Sequence, residues 1–139
     1  MLDAENINRL RFALTGLPLG DELIVSMVDD ICTDMAHTVQ VTILFADYTA
    51  AMLQQVLPKS GQPIHANAFT DAPPDTPGRV MGELVAAVFN RDHQTAVQTM
   101  MRAYAHTPDM LYPILWETLA KFKSAYSATE ALRDGRPRL

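Results

Sequence analysis

Asp30, Asp34 and His37 are the residues of this chain whose types and spacing most resemble working chemistry. They recur at i, i+4 and i+7, so on one continuous helix they would share an arc of about 60°. Two carboxylates and an imidazole on one arc can supply ligands to a divalent transition metal such as zinc, iron or manganese. A complete site needs further ligands from another helix, and Glu83, Asp92, His93 and His106 are the candidates. Di-iron bundles repeat a Glu-x-x-His pattern on paired helices. Here Asp34-x-x-His37 occurs once, with no second copy. The exposed polar flank of an amphipathic helix explains the same three residues without any metal.

Other chemical readings are thinner. Asp29, Asp30 and Asp34 form an Asp-Asp-x-x-x-Asp pattern of the kind that holds magnesium for diphosphate chemistry, but no second acidic cluster accompanies it. Cys32 and His37 are five residues apart, which on a helix turns them roughly 140° away from each other. A structural thiol is the better reading. No serine sits in a Gly-x-Ser-x-Gly elbow, and Lys59-Ser60-Gly61 lacks the glycine spacing of a phosphate loop. His65 has no evident partner, and His106 suits the carbonyl end of a helix.

The residues speak more for contact than for reaction. The 139-residue chain is 48% apolar and only 19% charged. It has eight methionines, a residue suited to irregular cores and adaptable binding surfaces. Met81, Met100, Met101 and Met110 could line a groove for a partner, with Trp116 marking a second contact face. Met100, Met101 and Trp116 are therefore the expected partner surface. Net charge is −5, and only Arg133 to Arg138 is basic, without interleaved aromatics, so nucleic acid is not an expected partner. Residues 12–58 carry six acids and no Lys or Arg.

A single cysteine cannot form an internal disulfide, which points to a reducing, cytoplasmic setting. The start, MLDAENINRL, has early acids and no apolar block, unlike a secretory leader. No stretch approaches the length of apolar sequence that spans a bilayer.

These residues have to be positioned by helices. Ile7, Leu10 and Leu14 give one short helix, with Asp3 as its expected cap and Gly16 as its stop. Ile24, Val28, Ile31 and Met35 keep the helical period after Asp21. Unbroken to Leu57, that helix would run about 55 Å, longer than a compact domain of this size allows. A break is expected near His37 to Gln40. Thr38 to Ile43 alternates like a strand, but nothing in the chain offers it a partner strand.

Pro58 to Thr76 holds four prolines and reads as a crossover draped over the surface. Thr76-Pro77 then starts a helix as cap and first residue. Asp92 caps another, in which Ala96, Val97, Met100, Tyr104 and Ala105 continue at helical spacing. Leu111, Leu115, Leu119, Phe122 and Tyr126 form the last stripe, with its regular helix expected to begin at Pro113.

The expected fold is all-α: an irregular bundle of five or six helices with one long Pro-rich crossover. Residues 1–126 form a single domain, with 58–76 the crossover and 127–139 a flexible tail. The leading expectation for function is a non-enzymatic interaction or assembly module that self-associates or binds a protein partner. The alternatives are a metal-binding protein centred on Asp30, Asp34 and His37, and a bundle that binds a small molecule between its helices.

Overall fold

The computed structural model describes residues 4–15, 21–57 and 63–133. Among these, the chain forms six α-helices, two short 3-10 turns and no strand: α1 (Ala4–Thr15), α2 (Asp21–Ile31), α3 (Met35–Val56), α4 (Pro77–Phe89), α5 (His93–His106) and α6 (Leu111–Arg133). The all-α bundle expected from the sequence is the fold. Asp3, Gly16, the Leu17–Gly20 turn and residues 134–139 lie outside the described residues.

α3 and α6 are the spine. Each buries residues in two clusters, so each is covered on two sides. On one side, Phe45 and Val41 of α3 meet Leu115, Leu119 and Phe122 of α6 beneath α1 and α2. Phe45 stands edge-on to Phe122 at 5.1 Å between ring centres, an arrangement that suits the ring quadrupoles. On the other side, Ala46, Ala50 and Leu53 of α3 and Ile114 of α6 pack under α4 and α5.

Among the described residues, the buried polar side chains are all threonines: Thr38, Thr42, Thr49, Thr99, Thr118 and Thr129. Each hydroxyl donates to the carbonyl four residues back in its own helix, at 2.7 to 3.0 Å. A buried hydroxyl left without a partner would cost free energy, and the local bond removes that cost. It also lets the β-branched run Thr38–Ile43 be helix where its alternation resembles a strand.

The break between α2 and α3 falls at Cys32–Asp34, earlier than the expected His37–Gln40. Asp34 is extended and caps α3, its side chain accepting from the His37 amide at 2.8 Å. Asn, Asp, Ser and Thr are the preferred residues for that position because a short oxygen can reach the free first-turn amides.

The expected crossover, 58–76, packs on the bundle in its described residues. Its described part, 63–76, turns once at Ala66–Ala68 and buries Ala66 and Phe69. Gly82 lets it lie close: a Cβ there would overlap Thr70 Cγ2 and stand 3.3 Å from the Ala66 carbonyl oxygen. Pro113 is the third residue of α6, in the first turn, where its missing amide removes no helical bond. α6 then runs on through Arg133, past the expected end at Tyr126, with Thr129 buried. Alanines at 128 and 131 favour helix there without supplying a large apolar signature.

Candidate functional site

The break at Cys32–Asp34 separates the three residues that sequence spacing had placed on one arc. Asp30 belongs to α2, Asp34 is the cap of α3, and His37 sits in the first turn of α3. Asp34 is committed locally, with Oδ1 2.8 Å from the His37 amide and 3.3 Å from His37 Nδ1. His37 Nδ1 also meets Thr33 Oγ1 at 2.8 Å. Among the described residues, no three His, Cys, Asp or Glu side chains group as they would around a metal ion.

Nearby, Tyr112 of α6 donates to Asp29 Oδ1 at 2.8 Å and stands edge-on to Trp116. Burial pushes the Tyr112 hydroxyl up, the Trp116 hydrogen bond pulls it down, and Asp29 pushes it up again. Cys32 is half-buried, and burial raises its thiol above the ordinary value while a Thr38 hydrogen bond partly offsets this. A thiol so raised is a poor nucleophile.

The expected partner surface needs correcting. Met100 is fully buried in the core against α4 and α3, so it cannot meet a partner. Trp116 is half-buried, packed on the α1–α2 core and on Tyr112. Met101 alone of the three is exposed, by 49%.

The structure places two other side chains beside Met101. α5 packs inward with Ala96, Thr99, Met100 and Ala103. Val97, Met101 and Tyr104 stay outside, at 47%, 49% and 39% exposure. They recur at i, i+4 and i+7, one strip along the helix. Among the described residues, the other large exposed apolar side chains do not line up this way. Leu23 and Val25 are two apart on α2, Tyr112 and Leu132 lie at the two ends of α6, and Phe12 and Met35 are on other helices. Gln94, Gln98 and Ala105 are also exposed on α5, and the exposed His93 and Arg102 flank the strip on its two sides.

Charges collect at the edges of this face. Thr95 donates its hydroxyl at 2.6 Å and its amide at 3.1 Å to the Asp92 carboxylate, holding that acid below the usual range. Burial raises Asp47, with His93 pulling it back. Arg102 lines a cleft between α5 and α4. Among the described residues, no helix is long and apolar enough to cross a membrane.

Two signals could have located the strip. Three of the four inward residues of α5 are small, Ala96, Thr99 and Ala103, with Met100 the one bulky residue buried among them. Met100 and Met101 also differ by one position, a turn of about 100° around the helix. Comparison with family models, with curated proteins and with solved structures returns no match.

Proposed function

We propose that this protein is an interaction module that pairs with a second copy of itself through the outer face of α5. The carrying observation is that α5 turns Ala96, Thr99, Met100 and Ala103 into the bundle and leaves Val97, Met101 and Tyr104 outside. Exposed bulky apolar residues on a helix weaken solubility with no gain to the monomer, and a partner would remove that penalty. Interface cores are depleted in charge and enriched in Met and aromatics, as this face is.

The face suits a two-fold partner. A two-fold interface uses one patch on both copies and must be self-complementary. With Met101 near the axis and the two α5 helices antiparallel, Val97 of one copy meets Tyr104 of the other, a small side chain against a large one. The two Met101 side chains meet at the centre, where their flexibility suits an irregular gap. Val97, Met101 and Tyr104 are themselves uncharged, so no like charges oppose each other along the strip, and His93 and Arg102 stand at its flanks.

α5 is about 21 Å long. One helix pair of that length falls at the low end of specific interfaces, below about 1,200 Å2. The expected complex is therefore a micromolar, reversible dimer. Light scattering behind size exclusion tests it. The mass should move from monomer toward dimer as concentration rises through the micromolar range, and Met101→Glu should abolish that movement. A monomer at every concentration would overturn the proposal.

A further inference from the structure

On the other flank of α5, toward α4, lie two clefts of about 380 Å3 and 350 Å3 that share Glu83, Thr99 and Arg102. Each volume is at the small end for a metabolite-sized ligand. We propose that this pair of clefts binds a small organic oxyanion, a carboxylate or phosphate on a short apolar body, with Arg102 and Arg79 as its counter-charges.

Arg79 enters from the first turn of α4, half-buried and already held. Its Nη1 donates to Asn67 Oδ1 at 2.6 Å and its Nε lies 3.7 Å from Glu83 Oε1. A guanidinium has five N–H donors, so most of the fork remains available in a fixed position. Arg102 makes no hydrogen bond or ion pair among the described residues and sits at the junction of the clefts. His106 follows Arg102 one helical turn later on the same wall, and Val80, Ala103 and Met110 supply the apolar floor.

Three carboxylates also line the pair: Asp75 in the larger cleft, Asp92 in the smaller and Glu83 in both. Glu83 is turned toward Arg79, and Asp75 holds a left-handed backbone, φ 63°, beside the start of α4. They disfavour casual anion binding, so a ligand needs two-point contact with the guanidiniums together with contact on the apolar floor. Arginine suits this because its planar fork matches carboxylate and phosphate oxygens in pairs.

The test is amide chemical-shift titration of the 139-residue chain with phenyl phosphate, inorganic phosphate and, as a neutral control, benzyl alcohol. Saturable shifts confined to residues 64–66 and 75–110 are expected with phenyl phosphate, with weaker ones for inorganic phosphate and none for benzyl alcohol. Arg102→Ala, at an exposed site, should weaken phenyl phosphate about tenfold, the scale of one charged hydrogen bond. Arg102→Lys should restore part of the loss, and Arg9→Ala on α1 should change nothing. Binding should persist in Met101→Glu, which separates this site from the α5 strip. Linear, unsaturating shifts, equal binding of benzyl alcohol, or unchanged affinity in Arg102→Ala would each overturn the proposal.

Discussion

Asn90 grips Ile64 by both ends of its amide: the Ile64 N–H donates to Asn90 Oδ1 at 2.9 Å, and Asn90 Nδ2 donates to the Ile64 carbonyl at 2.7 Å. One side chain, at the turn between α4 and α5, thus pairs with a crossover backbone that has no strand or helix to satisfy it. Asn90→Ala is expected to lower stability by about 1–2 kcal/mol, the loss of two ordinary hydrogen bonds partly replaced by water. Urea unfolding measures the loss. Amide hydrogen exchange at Ile64 should speed up even where global stability is restored by a ligand or by temperature.

Gly82 and Thr70 hold the other end of the crossover. Alanine is a better helix former than glycine by about 1 kcal/mol, so Gly82→Ala would stabilise an open helix. Here its methyl overlaps Thr70 Cγ2. Net destabilisation of about 1–3 kcal/mol is expected, the scale of overpacking. Thr70→Ser removes that methyl and keeps the hydroxyl that accepts from the Ala72 amide. The double variant should recover much of the loss, and additive effects in that cycle would show that the contact is not the cause.

Asp34 separates a capping role from a metal-ligand role. Ser can cap a helix as Asp does, so Asp34→Ser should be nearly neutral to stability while Asp34→Ala costs about 1 kcal/mol. A loss in both variants that appears only when zinc is present would favour the metal reading instead.

Two acids beside α5 should respond to pH with opposite sign. Asp92 is depressed by the two Thr95 hydrogen bonds. Its contribution is present above the unfolded value of about 3.9 and is lost as pH falls through the folded one. The thermal midpoint of Asp92→Ala should thus trail that of the native chain near neutrality and converge with it in acid. Asp47 is raised by burial. Its contribution is present below the unfolded value and is lost as pH rises through the folded one. Asp47→Asn should therefore gain on the native chain near neutrality, with the gain closing in acid. Parallel melting curves at all pH values would contradict both assignments.

Much of the fold was legible in the sequence because local chemistry agrees with it. Thr76-Pro77 and Asp92 are strong starts and stand where expected, as caps of α4 and α5. Asp34 was available as a cap too, but its spacing with Asp30 and His37 read as one continuous helix. The site was less legible. Val97 and Tyr104 were counted with Ala96 and Met100 on a single apolar face, because periodicity registers hydrophobicity and not size. What divides them is packing: α5 turns Ala96, Thr99 and Ala103 inward. The burial of Met100 beside exposed Met101 follows from that rotation.

Disulfide trapping at position 101 tests the self-association most directly. In a Cys32→Ser background, Met101→Cys places two thiols close to the proposed axis, where a bridge requires Cβ atoms about 4 Å apart. Mild oxidation should convert this variant to a covalent dimer, while Asn8→Cys on α1 in the same background stays monomeric. Cross-linking of Met101→Cys no faster than of Asn8→Cys would contradict the account.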